Sequence, residues 1–188
     1  MIETGVVHGR FQVFHLDHLK YILAGKSRCR HLAVGITNPD PSLTGEDPAD
    51  SARSSPGSNP LTYFERYSLV RAALLGAGIG EADISVVPFP INFPDLYRYY
   101  VPMEATFFLT IYDGWGKRKL SLFRSAHLKT EVLWTRPREQ KGITGHEVRR
   151  RMAEDEPWED LVPSEAAELM KKWDVPGRLK KMREGLET

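Results

Sequence analysis

The stretch Gly9-Arg10-Phe11-Gln12-Val13-Phe14-His15-Leu16-Asp17-His18 decides how this chain folds. It follows a β-branched pair, Val6 and Val7, and precedes Leu19, Ile22 and Leu23 at helical spacing. That order predicts a strand, a tight glycine turn and a helix. Such a junction aims backbone N–H groups and the positive end of a helix at one point, a natural phosphate site. The turn also carries an arginine, a glutamine and two histidines three residues apart. Residues at i and i+3 share a helix face, so His15 and His18 can address the same group.

The chain has 188 residues, enough for one domain with a real core and too few for two ordinary ones. Residues 1–188 therefore read as a single domain. The formal charge of +1 implies no broad polyanion-binding surface, which argues against a nucleic-acid partner. A single cysteine, Cys29, between Arg28 and Arg30, excludes a disulfide framework and reads as a half-buried helix-end residue. No apolar stretch is long enough for a signal peptide or a membrane span. The expectation is a soluble cytoplasmic protein without a membrane partner.

Beyond the first helix, residues 31–37 read as a second buried strand. Residues 38–59 are rich in Pro, Ser, Asp and Gly and predict a long loop, read as a lid over the substrate. Its root, Thr37-Asn38-Pro39-Asp40, lies where open α/β sheets bind ligands. Residues 60–76 form a helix in which Thr62 and Glu65 make a capping box. Composition leaves open whether its Tyr63, Arg66 and Arg71 face solvent or the site. Residues 84–89 are a third strand. Residues 91–101 follow with Asn92, Asp95 and Arg98 among aromatics, a candidate acceptor pocket although most of the tyrosines should pack on the sheet.

A fourth strand, 106–112, is broken by Asp113-Gly114-Trp115-Gly116, after which Lys117, Arg118 and Lys119 lead into a helix. Residues 131–134 are a fifth short strand. Strands alternating with helices imply an α/β, Rossmann-like parallel sheet of about five strands covered on both faces. Residues 163–188 read as two amphipathic helices for packing or homo-oligomer contact.

The second informative stretch is Gly142-Ile143-Thr144-Gly145-His146-Glu147-Val148-Arg149-Arg150-Arg151-Met152. Thr144 and Glu147 make a capping box, so a helix starts at Thr144. Three arginines in its first two turns sit at an end that is already positive, which is unfavourable without an anion. An anion there would be held by Thr144, backbone N–H groups and Arg149, with the remaining arginines as surface charge. The chain has no Ser-His-Asp order, CxxC pair, HExxH, Walker P-loop or GxGxxG. What remains is a phosphate site built from two helix N-termini. It suits in-line attack on the α-phosphorus of a nucleoside triphosphate with release of pyrophosphate.

These two stretches resemble the paired motifs, HxGH and Ile-Ser-Gly-Thr-x-x-Arg, of the nucleotidyltransferase superfamily, nearest its archaeal-type nicotinamide mononucleotide (NMN) adenylyltransferases. The resemblance implies that His15, His18 and Arg149 act on the reacting phosphates. It also implies that Gly9, Arg10, Phe11, Gln12, Asp17, Thr144 and Gly145 bind the nucleotide, and that Mg2+ arrives on the nucleotide phosphates rather than in a protein cage. Besides His146, which stands where the family commonly has threonine, three departures stand out. Asp17 replaces the family's glycine, leaving open whether it meets a ribose hydroxyl, a base amine or only the helix end. Tyr97 falls where the family stacks a tryptophan on nicotinamide, and Asp113-Gly114-Trp115 replaces a Gly-Asn-Pro turn. With the lid root, this pattern is similar to the cytidylyltransferases of actinobacterial phosphonate-antibiotic pathways. That implies transfer of CMP from CTP to a small phosphonate such as phosphonoformate. Acceptor candidates are Asn92, Tyr97, Arg98, Trp115 and Arg118, with Lys117 and Arg124 as further cations. The alternatives are an ATP-dependent NMN or nicotinate mononucleotide adenylyltransferase, and a nucleotide-sensing module without turnover.

Overall fold

Val6 and Val7 point to opposite faces of their strand, and both are fully buried. That demands cover on both sides of the sheet. The computed structural model, which describes residues 1–43 and 58–185, supplies it. Strand β1 (Ile2–Gly9) lies at the centre of a five-stranded parallel sheet. On one side run β2 (Cys29–Thr37) and β3 (Ile84–Phe89); on the other run β4 (Thr106–Ile111) and β5 (Lys129–Thr135). Residues 44–57 of the stretch read as a lid lie outside the described residues.

Alternation sorts the core into two layers. Val7, Val34, Ile36 and Phe108 face α1 (Leu16–Lys26), α2 (Tyr63–Gly76), α4 (Gly145–Ala153), α5 (Ser164–Lys172) and α6 (Val175–Glu184). Val6, Ala33, Phe107 and Leu109 face the β3–β4 connection and Phe123 of α3 (Gly114–Ser125). The C-terminal helices are part of the first layer through Ala166, Met170 and Leu179. Arg178 fastens them to α2 by bonds to Glu65 at 2.8 Å and the Pro60 carbonyl at 3.1 Å. Intrachain packing thus accounts for their apolar faces. Among the described residues, no helix is long and apolar enough to cross a membrane.

Three local readings are corrected. Cys29 is the first residue of β2 and is fully buried, not a half-buried residue at a helix end. The helix read over 60–76 starts at Tyr63, because the capping box of Thr62 and Glu65 fixes where the helical hydrogen bonds begin. Asp113-Gly114-Trp115-Gly116 is not a plain break: the Asp113 carboxylate accepts from Gly116 N at 3.0 Å and starts α3 there.

The sheet splits at its centre. β1 and β4 pair only at Gly5 with Thr106 and Val6 with Phe107, then diverge toward their C-terminal ends. Parted backbone groups need other partners. Tyr21 of α1 supplies one, its hydroxyl accepting from His8 N at 3.4 Å and donating to Phe108 O at 2.7 Å. This is where the strand order reverses direction, the position at which sheets of this winding bind ligands.

Two buried polar side chains fix the loops around the opening. Gln12 donates to Leu61 O and accepts from Leu61 N, both at 2.9 Å. Arg66, only 2% exposed, donates to the carbonyls of Arg10 (3.0 Å), Thr37 (2.7 Å), Asn38 (2.8 Å), Pro39 (3.3 Å) and Thr62 (3.3 Å). One guanidinium therefore joins the turn after β1 to the chain leaving β2, and burial lowers its pKa to about 10. Removing it strands several buried acceptors at once. Arg66→Met should lower unfolding free energy by about 3 to 5 kcal/mol, read by urea denaturation. A loss below about 1 kcal/mol, the size of an ordinary surface change, would contradict this role.

Candidate active site

Above the split lies a cleft of about 670 Å³, a volume suited to a nucleotide-sized ligand. Its walls come from the ends of β1, β2 and β4, the turn after β3, and the N-termini of α1, α3 and α4.

The first wall is the loop after β1. Phe11 has φ of +54°, a left-handed conformation uncommon for a bulky side chain, and its ring is buried against Phe14 and His18. Gly9 is needed here, since a Cβ on it would come within 2.6 Å of the Phe11 ring. Phe11 and Gln12 border the cleft, yet their side chains are engaged inward with the core and Leu61.

His15 caps α1: its Nδ1 accepts from His18 N at 3.4 Å, which leaves the proton of the neutral ring on Nε2. The two imidazoles stack with centroids 3.6 Å apart and planes 20° apart. Burial first, then Lys141 and Arg149, push the His15 pKa down to about 3. Burial, followed by His15, Lys141 and Arg10, lowers His18 well below its ordinary value against a smaller opposing contribution from the Val13 backbone. Both rings are therefore neutral at pH 7, with Arg10, Lys141 and Arg149 close enough to disfavour their protonation.

The second wall is the start of α4. Thr144 accepts from Glu147 N at 3.2 Å. The reciprocal half of the expected capping box is not made, because Glu147 turns to Arg150 at 3.1 Å and Arg151 at 2.9 Å, and these hold its carboxyl at about 2. Arg150 also pairs with Glu154 and Glu156. Of the three arginines, Arg149 alone lines the cleft. Its guanidinium donates to the Gln12 carbonyl. Gly145 sits beside the same oxygen, where a Cβ would come within 2.7 Å. The two stretches singled out in the sequence thus meet at one backbone atom. Asp17 also lines the cleft and lies against Gly142, where a Cβ would come within 2.5 Å of its Oδ2.

On the remaining side Asn92 and Trp115 line the cleft, but three expected acceptor residues do not. Tyr97 is fully buried, its ring tilted against Phe89, with its hydroxyl donating to Ile91 O at 2.6 Å. The short 3-10 segment Pro94–Tyr99 turns it inward. Arg98 lines a separate groove with Met103 and Leu122. Arg118 lies outside the cleft over the Trp115 ring, 5.6 Å from its centroid. The exposed Lys117 and Arg124 do not line it either. Lys119 does, as do His8, Asn38, Tyr112, Trp134, Arg138, Lys141 and His146. Lys119 was legible in principle. With α3 starting at Gly114, it stands four residues from Trp115 and shares its face. His8 gave no signal beyond its place at the end of a strand. Among the described residues, no group of three His, Cys, Asp or Glu side chains could hold a metal ion.

No family profile matches the chain. Over 177 residues it is 48% identical to the phosphonoformate cytidylyltransferase of Streptomyces viridochromogenes, covering 94% of this chain and 95% of that protein. It is 30% identical over 190 residues to the nicotinamide-nucleotide adenylyltransferase of Thermococcus kodakarensis, covering 100% of this chain and 93% of that one. Among solved structures it superposes on a bifunctional NMN adenylyltransferase/ADP-ribose pyrophosphatase of Francisella tularensis, complexed with AMP and a manganese ion, with a TM-score of 0.67 and 16% identity. That match covers 95% of this chain and 52% of the Francisella protein, so the chain spans about half its length and the likeness is one of fold.

The lowered histidine pKa values set the pH dependence of folding. His8 and His15 are each 4% exposed, and both are held neutral in the folded protein. Below about pH 6.5 the unfolded chain takes up protons that these folded sites refuse, so stability is greatest above that range and falls as pH drops. Between about pH 7.5 and 5.5 each should cost about 1 kcal/mol, measured by urea denaturation without ligand. Stability that stays level or rises over this interval would contradict the assignment.

Proposed function

The chain belongs to the nucleotidyltransferase family that includes phosphonoformate cytidylyltransferase and the archaeal nicotinamide-nucleotide adenylyltransferases, and on that footing we propose that it transfers CMP from CTP to a small phosphonate. The observation that carries this choice is the much closer likeness, along nearly the whole chain, to the Streptomyces enzyme than to the archaeal ones. In this reading residues 1–188 act as one catalytic unit in the cytoplasm.

A phosphonate oxygen attacks the α-phosphorus, a new P–O bond forms, and the bond to the bridging oxygen breaks as pyrophosphate leaves. His15 and His18 donate hydrogen bonds to the α-phosphate and bridging oxygens, where negative charge grows. Their stacked rings stay neutral until the triphosphate arrives, since two imidazolium ions this close would repel. Arg10 and Arg149 hold the β- and γ-phosphates, and Thr144, Gly145 and the α4 N-terminus present backbone donors beside them. The tie from Arg149 to the Gln12 carbonyl sets the spacing of the two phosphate-binding walls.

Asp17 and Asp113 are carboxylates in the cleft wall, and neither belongs to a metal-sized cluster among the described residues. Arg10 and Arg149 would hold the substrate phosphates, and Mg2+ bound to those phosphates would supply further neutralisation of their charge. Asp17 selects the base or the ribose. A carboxylate beside a triphosphate is repulsive unless it accepts a hydrogen bond, and the cytosine amine is one such donor.

Pyrophosphate release should be measured with each of ATP, CTP, GTP and UTP, crossed with phosphonoformate, other small phosphonates and NMN. Release should be greatest with CTP and a phosphonate. His18→Ala should lower kcat by about 100- to 1000-fold, and Asp17→Gly should raise the use of ATP relative to CTP. Turnover confined to ATP with NMN would overturn the cytidylyl reading in favour of the adenylyl one.

A further inference from the structure

His8 and Lys119 meet in the cleft, and nucleotide binding leaves them without a task. His8 is 4% exposed, its Nδ1 is buried without a hydrogen-bond partner, and its Nε2 is 3.4 Å from Lys119 Nζ. Phe89 and Phe123 fix the ring, with centroids at 5.7 and 5.1 Å. One partner comes from the end of β1 and the other from α3, so the pair spans the split between β1 and β4.

In-line displacement places the attacking and leaving oxygens on opposite sides of the α-phosphorus. The leaving pyrophosphate belongs to the side of Arg10, Arg149 and the α4 N-terminus. The attacking acid then comes from the α3 side, where Trp115 and Asn92 share the wall with His8 and Lys119. An ammonium carries three donors, enough to serve an imidazole and an anion together.

We propose that Lys119, seated against the neutral His8 imidazole, forms the anion subsite for the acceptor, its ammonium binding the negative charge of a small phosphonate or carboxylate. This deepens the cytidylyl-transfer reading and rests on it. Lys119 and His8 are positioning and specificity residues here; the reacting phosphorus is handled by His15, His18 and Arg149.

The test is steady-state kinetics of Lys119→Met, Lys119→Arg and His8→Val, with calorimetric CTP binding measured on each. Lys119→Met should raise the KM for phosphonoformate by about 10- to 100-fold, the scale of a lost charge-assisted hydrogen bond. Its kcat and its CTP affinity should stay within about 3-fold. Lys119→Arg should restore most of the acceptor KM, and His8→Val should raise it by about 3- to 10-fold. Methylphosphonate, which has no carboxylate, identifies the group held. Equal sensitivity with both acceptors assigns the subsite to the phosphonate, and sensitivity confined to phosphonoformate assigns it to the carboxylate. An unchanged acceptor KM, or an equal loss of CTP affinity, would overturn the proposal. If the wild type turns over only ATP and NMN, the cytidylyl reading fails by itself. The subsite is then judged by the same split between NMN KM and ATP affinity.

Discussion

The early parting of β1 and β4 is the constraint on which the rest of the molecule depends. Two residues of pairing leave the C-terminal ends of both strands without each other's backbone groups. Buried peptide groups in that position need replacements, and the Tyr21 hydroxyl bridges them from α1. The opening held in this way is the floor of the cleft, and its residues project from strand ends where the backbone is rigid. His8 and Thr110 line the cleft because the sheet no longer closes over them.

A split sheet alone would give a poorly defined opening, so the loops above it are fixed by buried polar groups. Arg66 gathers carbonyls from the turn after β1 and from the exit of β2. Gln12 ties that same turn to the chain before α2. Arg149 then joins α4 to the Gln12 carbonyl. Together these bonds set two helix N-termini against one cavity, with His15 and His18 on one and Thr144 and Arg149 on the other. Catalysis by charge stabilisation needs such fixed donors, because reorganising them in the transition state would cost the energy they provide.

Much of this was legible from short-range patterns. The glycine turn with His15 and His18, and the start of α4 at Thr144, are local signals, and the structure brings both to one cleft. The parallel character of the sheet follows from the alternation of strands and helices, whereas its strand order is seen only in the fold. What escaped was decided by tertiary packing. Composition could not say that Arg66 turns inward, because an arginine on an amphipathic helix is ordinarily exposed. Tyr97 matched a ligand-stacking position by alignment, yet the turn at Pro94 buries its ring and its hydroxyl finds a backbone carbonyl. Arg118 and Lys119 are neighbours in one basic run, and only the true start of α3 shows that Lys119 enters the cleft.

In the proposed mechanism the acceptor displaces pyrophosphate directly, with His15 and His18 as donors and never as nucleophiles. Exchange of labelled pyrophosphate into CTP tests it most directly. A direct transfer predicts label in CTP only when the phosphonate acceptor is present, and none with enzyme and CTP alone. Exchange without acceptor would mean that a nucleotidyl group rests on the protein, and would contradict the account.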